Sequence, residues 1–379
     1  MQTINKTLTS LLLLIVVAVL FASCKKETTG MPEVSYVRVT NPAASDSLLT
    51  AAGQGQLVAI IGKNLQDARE IWFNDRKSVL TPTYITSESI LVSVPGLVPG
   101  DITNKLRILF KNGYELLHDF KVQISKPLVA SMFSEFVNAD DIAIINGDYF
   151  YAPVTVTFTG GAVGEIVDIA DQAVSVRVPA NAQPGPITIK TNFGETQSDF
   201  WFRDSRNIFI SSDPYEGWWN GSLVISNPAA GQPPLINGNY IYLKKEVAAW
   251  SWTELAGGPA SSMPIHSKRI PDDAILKPQD YNLKFEVNTL KPYNGNAVKI
   301  NVGLTAEQNQ GYIWPAPFDT QGRWQTVVIP LEEVFASYNP KPVVSAAGYW
   351  TRILVGNAAG SWDADIAFDN FRVVPKTAE

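Results

Sequence analysis

The chain has 379 residues, of which 45% are hydrophobic, with a formal net charge of −6 and a single cysteine. This length is enough for two or three domains that each bury their own core. The acidic balance and the lack of a long run of Lys or Arg argue against a nucleic-acid partner, and one cysteine excludes an internal disulfide.

The N-terminus has the pattern of an export signal. Lys6 supplies positive charge, and the apolar run Leu11–Phe21 is followed by two small residues before Cys24. The run is shorter than the roughly 20 apolar residues that a transmembrane helix needs. We therefore expect a signal peptide over residues 1–23 and a tether over residues 24–32.

An export signal that ends in a lone cysteine resembles the lipobox of bacterial lipoproteins. The resemblance implies cleavage before Cys24 and acylation of that residue, which would anchor the mature protein to a membrane. Phe21 departs from the pattern, in which Leu is usual three residues before the cysteine. The charged residues Lys25, Lys26 and Glu27 resemble the segment that follows the cysteine in surface-displayed lipoproteins of some Gram-negative bacteria. An outer-membrane, lipid-anchored and surface-exposed protein is implied.

From Glu33 onward, short alternating apolar runs are separated by Gly, Pro and Asn, which predicts an all-β chain. A repeat is visible within it. Ile60–Leu65 is echoed by Ile144–Phe150, and Val92–Pro95 by Val176–Pro179, both at an offset of 84 residues (145 − 61 and 179 − 95). Two tandem domains of similar fold are therefore expected.

The two copies resemble the immunoglobulin-like IPT/TIG family. The family pattern is an early strand, an apolar-Gly-x-Asn-Leu turn, a Val-Pro strand end and a closing glycine hairpin. The resemblance implies sandwiches over residues 33–124 and 125–204, domains that usually act as spacers. In the second copy Asp148 and Tyr149 replace the Asn-Leu pair, which puts that turn in question.

A different pattern covers residues 205–379. Tyr281–Val287 alternates apolar and polar residues, which predicts a strand with one dry face and one wet face. Trp324–Ile329 reads as a second strand. Ile366–Val374 reads as the last strand, and a break in its alternation predicts a bulge at Asp369-Asn370.

These segments resemble the jelly-roll sandwich of carbohydrate-binding modules. The order of signal, lipobox cysteine, IPT/TIG domains and this sandwich resembles surface glycan-binding proteins of polysaccharide utilisation loci, whose C-terminal domain is named for xyloglucan binding. The resemblance implies a non-catalytic receptor that captures a β-glucan-type polysaccharide, such as xyloglucan, for uptake. Its implied partners are an outer-membrane glycan transporter and other surface glycan-binding proteins of the same locus.

Eight of the ten tryptophans follow residue 205, several of them among Gly, Pro and Asn. An exposed indole offers a flat surface on which the apolar face of a β-linked pyranose can stack. Trp250 and Trp252, if extended, would place their rings on one side about 7 Å apart. Glu254, two residues further on, could share their face and bind hydroxyls.

Three further tryptophans complete the predicted glycan-binding set. Trp218 and Trp219 are adjacent, so in an extended chain one would pack inward and the other face out, and we favour Trp219 as the exposed one. Trp314 lies in a proline-stiffened loop, where a ligand role and a packing role are both open. Trp324, Trp350 and Trp362 flank or open apolar strands, a position that predicts a packing role. Corner packing is expected for the two spacer-domain tryptophans, Trp72 and Trp201.

Two other function classes stay open. His118 and His266 are the only histidines, and no spacing resembles a zinc site or a nucleophilic triad. Acid pairs such as Asp272-Asp273 leave a surface glycoside hydrolase or lyase as one alternative. A surface adhesin or assembly protein, whose exposed aromatic residues would bind another protein, is the second.

No cofactor is required by this interpretation. Asp213, Asp369 and Asn370 lie near the first and last strands of the C-terminal domain and could supply oxygen ligands to a structural Ca²⁺. Hydrogen bonding within a turn and a bulge is the commoner role of such residues.

Overall fold

The structure is a computed structural model, and it describes residues 30–377 except 45, 171, 219–220, 296 and 357–359. The expected signal peptide, Cys24 and most of the tether lie outside the described residues. Regular structure in the described part is mostly β-strand, which confirms the all-β fold class. None of the helices in those residues is long and apolar enough to span a membrane.

The chain divides into two compact units, Met1–Ile124 and Ser125–Glu379. The described residues of the first unit form three sheets. Two of them have four strands each, in the orders β2-β1-β4-β7 and β6-β5-β8-β9, and the third consists of β3 and β10, which run parallel. The apolar faces of these strands form one core. The strands and 3₁₀ helices of this unit are β1 (Glu33–Val39), β2 (Leu48–Leu49), β3 (Ala51–Gly53), β4 (Leu57–Lys63), β5 (Ala68–Phe73), β6 (Arg76–Lys77), β7 (Ser89–Ser93), β8 (Lys105–Phe110), β9 (Glu115–Asp119) and β10 (Lys121–Gln123), with 3₁₀ turns at Pro42–Ala44 and Pro82–Tyr84.

The second unit begins with a sandwich of the same kind. Its sheets have the orders β11-β12-β15-β14 and β13-β16-β17, and a separate core fills the space between them. The strands are β11 (Leu128–Met132), β12 (Ile142–Asp148), β13 (Thr155–Thr159), β14 (Glu165–Ala170), β15 (Ala173–Arg177), β16 (Gln183–Thr191) and β17 (Gly194–Phe202).

The two copies of the repeat align through a glycine rather than through their isoleucine pairs. A Cβ on Gly62 would lie 1.9 Å from the carbonyl oxygen of Glu33, and a Cβ on Gly147 would lie 1.8 Å from that of Leu128, so only glycine fits either position. These glycines are 85 residues apart (147 − 62), one more than the offset read from the sequence.

The same one-residue shift accounts for the departure from the family turn. Asn64 and Tyr149 both adopt left-handed backbone, with φ of 56° and 60°, and each precedes a buried apolar residue, Leu65 or Phe150. Tyr149-Phe150 is therefore the structural equivalent of Asn64-Leu65. The turn is retained in the second copy, displaced by one residue.

The C-terminal part of the second unit is a sandwich of two larger sheets. One has the order β19-β20-β27-β22-β25, with β18 pairing with β27, and the other has the order β21-β26-β23-β24. Aromatic and branched side chains from both sheets form the largest core of the protein. The elements are β18 (Ile208–Ile210), β19 (Val224–Ile225), β20 (Tyr240–Val247), β21 (Trp252–Gly258), β22 (Tyr281–Thr289), β23 (Val298–Leu304), β24 (Tyr312–Ile313), β25 (Gln325–Pro330), β26 (Trp350–Gly356) and β27 (Trp362–Pro375), with helices α1 (Asp272–Leu276) and α2 (Leu331–Ala336) and 3₁₀ turns at Gly221–Leu223, Ala260–Ser262 and Pro278–Asp280.

The predicted bulge in the last strand is confirmed. Lys284 of β22 pairs with Arg372 of β27, but Glu286 pairs with Asp369, so β27 carries one extra residue here. Asn370 within the bulge has φ of 53°, a left-handed conformation that Asn tolerates better than most residues.

The predicted wet face of Tyr281–Val287 is wrong. Leu283, Phe285 and Val287 do pack in the core, but Lys284 and Glu286 on the opposite face are also buried. The covering residues follow strand β11 of the second immunoglobulin-like sandwich, where the backbone carbonyl oxygen of Phe133 accepts a hydrogen bond from the Thr326 amide at 2.9 Å. Alternation in one strand cannot show that a neighbouring domain covers its polar side.

A network of four buried charges joins the two sandwiches of the second unit. Glu135, from the segment after β11, accepts hydrogen bonds from Lys284 Nζ at 2.6 Å and from Arg372 Nη2 at 2.8 Å. Arg372 also binds both carboxylate oxygens of Glu286, at 2.8 and 3.0 Å. Two cations and two anions balance, and Thr326 links both halves by donating to Glu286 and accepting from the Glu135 amide.

The energetic consequence follows from desolvation. A buried ion pair gives little net stability over apolar packing, but removing one partner leaves an uncompensated charge that is costly to bury. Burial opposes ionisation of Arg372, but the charges of Glu286 and Glu135 outweigh it and raise the pKa of the guanidinium. The network therefore favours one arrangement of the two sandwiches, in which all four charges are paired.

Replacing Glu135 tests this junction. Glu135→Ala should lower the free energy of unfolding of the second unit by about 3–5 kcal/mol, because Lys284 would lose its ion-pair partner and Arg372 would keep only Glu286. Urea denaturation followed by tryptophan fluorescence measures the change. In the same sandwich, Glu165→Ala removes an exposed partner of Arg177 and should cost less than about 1 kcal/mol. Equal effects of the two variants would contradict the inferred role of the network.

One carboxyl beside the network, that of Asp369, forms no ion pair with any of the residues that the structure describes. Asp369 Oδ1 accepts a hydrogen bond from the Asn370 amide at 2.8 Å, and the buried Oδ2 makes no hydrogen bond with any described residue. Burial, and then the nearby charge of Glu286, raise the pKa of Asp369 well above its ordinary value. The folded state therefore favours the protonated acid.

Asp369→Asn tests that inference through the pH dependence of stability. Because the folded-state pKa is raised, the stabilising contribution of the protonated acid is complete below the unfolded pKa, near 4, and is lost as pH rises through the folded pKa. The variant should therefore unfold at a higher temperature than the parent at pH 8, and the difference should shrink towards pH 4. Thermal melts across this range measure it. Asp168→Asn, at an exposed position of β14, should show no such trend.

Candidate functional site

Three tryptophans of the C-terminal sandwich are exposed to solvent. Trp218, Trp250 and Trp252 have 60%, 77% and 68% of their surface accessible. We refer to these three residues as the exposed tryptophan group. Burial of an indole is strongly favourable, so three indoles that remain exposed near one strand are unusual. Exposed apolar groups of this kind mark candidate binding surfaces.

Trp252 is the first residue of β21, the edge strand of its sheet. Thr253 is opposite the fully buried Val355 of the neighbouring strand β26, so Trp252 and Glu254 lie on the outer face of the sheet. Trp252 is paired with Gly356, where a Cβ would lie 3.5 Å from the Cβ of Trp252. The predicted common face of Trp252 and Glu254 therefore follows from the strand geometry.

Trp250 does not extend that strand. Its backbone is left-handed, with φ of 61°, and the Ser251 amide closes a turn on the carbonyl oxygen of Ala248. The expectation that Trp250 and Trp252 form an extended pair is wrong, because the strand begins only at Trp252. A bulky residue in this conformation costs of order 1–3 kcal/mol, a strain that is typical of functional positions.

Trp218 is held against the other end of β21. Its amide donates to the carbonyl oxygen of Gly257 at 2.9 Å, and Gly217 forms a parallel bridge with Gly257. A Cβ on Gly217, where φ is 138°, would lie 2.4 Å from that oxygen, so the close approach of the two backbones requires glycine. Trp218 and Trp252 thus stand at opposite ends of one strand, about 17 Å apart along it.

Trp219, which we expected to be the exposed member of its pair, lies outside the described residues. The expectation stays a prediction. Trp218 was expected to be the less exposed neighbour, and its exposure makes it a candidate contact in its own right.

Glu254 is held by an ion pair rather than free in solution. Arg352 of β26 donates from Nε to both oxygens of Glu254, at 3.0 and 2.9 Å, and from Nη2 to Oε1. Glu307 binds Nη1 of the same guanidinium at 3.1 Å. The hydrogen bond to Glu254 raises the pKa of Arg352, which favours the charged guanidinium. This arrangement presents ordered polar groups two residues from Trp252.

Trp314 is not part of the exposed surface, and its predicted ligand role is wrong. Only 3% of its surface is accessible, and its ring stacks on Tyr293 with centroids 4.7 Å apart and an interplanar angle of 7°. Tyr293 also donates from its hydroxyl to the Trp314 carbonyl oxygen at 2.7 Å. The proline loop folds inward, so the packing alternative applies.

The packing role predicted for three further tryptophans agrees with the structure. Trp324, Trp350 and Trp362 are buried in the sandwich. Trp72 and Trp201 in the immunoglobulin-like domains lie under the guanidinium groups of Arg107 and Arg206, respectively.

Two of the three residues considered for calcium accept hydrogen bonds from asparagine residues that are distant in the chain. Asp213 accepts from the Asn239 amide at 2.8 Å, and the side chain of Asn370 accepts from Asn237 Nδ2 at 2.6 Å. Within the described ranges, no group of three or more His, Cys, Asp or Glu side chains is placed to hold a metal ion.

Sequence reasoning missed the residues that position the surface. Arg352 and the glycines that bring Trp218 to β21 were not selected, although the doublet Gly257-Gly258 at a strand end is a signal of close backbone approach. The pairing of Glu216 with His266, described below, carries no sequence signal because the two residues are 50 positions apart.

Comparisons with known proteins found a family model that matches the C-terminal sandwich and a relative that contains IPT/TIG domains. Residues 202–375 match the family model described as surface glycan-binding protein B xyloglucan binding domain. An IPT/TIG domain-containing protein of Bacteroides ovatus is 28% identical over 203 residues, which cover 51% of this chain and 39% of that relative's length. This chain thus corresponds to well under two thirds of that relative.

A solved structure has a similar fold over nearly the whole chain. The crystal structure of surface glycan-binding protein PbSGBP-B from Prevotella bryantii aligns with a TM-score of 0.69 at 21% identity, covering 92% of this chain and 99% of that one. The described architecture of immunoglobulin-like domains followed by a larger sandwich is therefore shared. The C-terminal sandwich is the part of the chain that is similar to surface glycan-binding protein B xyloglucan-binding domains, over residues 202–375.

Proposed function

We propose that this protein is a non-catalytic cell-surface receptor that captures a β-glucan-type polysaccharide, xyloglucan or a related glucan, through its C-terminal sandwich. The observation that carries the proposal is the exposed tryptophan group around β21, within a domain similar to the xyloglucan-binding family. The other tryptophans that the structure describes in this sandwich are buried, so these three stand apart.

The chemistry of the surface suits a neutral sugar chain. Indole rings cover the apolar C–H faces of β-linked glucose units, and each ring that is covered loses unfavourable contact with water. The paired carboxylate of Glu254 and guanidinium of Arg352 can exchange hydrogen bonds with hydroxyl groups at the ring edges. The spacing of Trp218 and Trp252 along β21 suits a chain of several linked sugars rather than a single one.

The backbone strain at Trp250 supports a binding role for this residue over a structural one. Trp250 adopts a left-handed backbone and leaves most of its ring in water, so it gives the fold neither favourable backbone energy nor burial. A ligand that covers the ring supplies the missing burial. Glu254 and Trp219 are included in the proposed binding set with the exposed tryptophan group.

The N-terminal sequence pattern supports a location for this receptor at the cell surface. Acylation of Cys24 would anchor the protein in the outer membrane with its domains at the cell surface. Capture there would supply an outer-membrane glycan transporter, together with the other surface glycan-binding proteins of the locus. The immunoglobulin-like domains serve as spacers between the anchor and the binding sandwich.

Substitution of the exposed indoles tests the proposal. In native gels cast with xyloglucan or mixed-linkage glucan, the parent should be retarded. Trp252→Ala and Trp218→Ala should each weaken affinity at least about tenfold, since a covered indole contributes more than about 1.4 kcal/mol. Tyr84→Ala, at an exposed aromatic residue of the first unit, is the matched control and should bind as the parent does.

Two outcomes would contradict the proposal. The first is a parent protein that migrates equally in gels with and without each glucan, as an adhesin for another protein would. The second is the release of reducing ends or unsaturated products during incubation with the polysaccharide, as expected of a hydrolase or lyase.

A further inference from the structure

A largely buried acid and a buried histidine lie beside the loop that carries Trp218. Glu216 Oε2 is 2.7 Å from His266 Nδ1, and the two side chains are 10% and 1% accessible. The same carboxylate accepts hydrogen bonds from the backbone amides of Ile265, at 3.2 Å to each oxygen, and of His266, at 3.0 Å. Glu216 thus receives donors from two consecutive amides and one ring.

Glu216 is close in the chain to Trp218, so its contacts also restrain the loop that carries this indole. Glu216 is two residues before Trp218 and immediately before Gly217, whose backbone bridges to Gly257. The loop that carries Trp218 is therefore held at two adjacent points. One is the glycine bridge to β21, and the other is the carboxylate of Glu216 on the segment Ile265-His266.

The segment that receives Glu216 is itself tied to the sandwich. The Ser267 amide donates to the carbonyl oxygen of Met263 at 2.9 Å, and the Tyr349 amide donates to the carbonyl oxygen of Ser267 at 3.0 Å. Tyr349 is buried and immediately precedes β26, the strand that also supplies Arg352. The clamp therefore connects the Trp218 loop to the sheet that carries Trp252.

We propose that Glu216 and His266 are positioning residues that set the location of the Trp218 ring for glycan binding, without contacting the sugar themselves. The inference rests on the proposed function. A ring that is held in place before binding loses less conformational freedom when the ligand arrives, so affinity increases. Removal of the clamp leaves the glycine bridge as the attachment next to Trp218, while Asp213 and Tyr215 hold the loop at positions further from the indole.

A double-mutant cycle tests the proposal by titration calorimetry with xyloglucan oligosaccharides. Glu216→Ala should weaken affinity three- to tenfold in the parent and to a similar extent in a Trp252→Ala background. In a Trp218→Ala background it should change affinity less than twofold, because the residue on which the clamp acts is gone. Glu216→Gln, which keeps a carbonyl acceptor, should recover part of the loss. Glu246→Ala, at an exposed acid of β20, is the matched control.

Hydrogen exchange in the ligand-free protein provides a second readout that needs no sugar. Glu216→Ala should accelerate exchange of the Trp218 amide, which bonds to Gly257, while β22 amides keep their protection. Unchanged exchange at Trp218 would overturn the clamp, as would an affinity loss of equal size in the Trp218→Ala and Trp252→Ala backgrounds. A parent without affinity for any glucan would instead refute the proposed function, and with it the role of the clamp in binding.

Discussion

The four-charge network of Glu135, Lys284, Glu286 and Arg372 is the constraint on which the second unit depends. Its charges balance only when residues of the immunoglobulin-like sandwich and of the C-terminal sandwich are together. A buried charge without a partner is strongly unfavourable, so the network penalises any arrangement that separates them. The two sandwiches consequently form one compact unit rather than two domains on a short linker.

The opposite sheet of the C-terminal sandwich carries the surface where a ligand would bind. Three indoles are left in water around β21, while Tyr293 and Trp314 stack inside the core. The glycines at 217 and 257 allow one backbone to approach another closely enough to place Trp218 beside the strand. A rigid sandwich that holds exposed rings is a suitable receptor for an extended sugar chain, because little ordering is needed on binding.

Some features of the site could be inferred from the sequence, but the burial of individual tryptophans could not. The clustering of tryptophan after residue 205 indicated the domain that we propose to bind the glycan, and alternation in β21 placed Trp252 and Glu254 on one face. Neither signal separates Trp314, which folds inward, from Trp250, which does not. The difference arises from a turn at Ser251 and from a core aromatic partner supplied by Tyr293, and both depend on contacts distant in sequence or on local φ values.

The sequence by itself determined the all-β class, the tandem repeat, the bulge at Asp369-Asn370 and the resemblance of the C-terminal domain to carbohydrate-binding sandwiches, because these depend on local periodicity, turn residues and short motifs. Tertiary structure alone decided the offset of the first repeated motif, which a glycine sets where a neighbouring carbonyl leaves no room for a Cβ. It also decided that the polar face of β22 is dry and that Glu216 meets His266. Each of these outcomes requires two segments that are far apart in the chain to come into contact, and no local pattern encodes the partner.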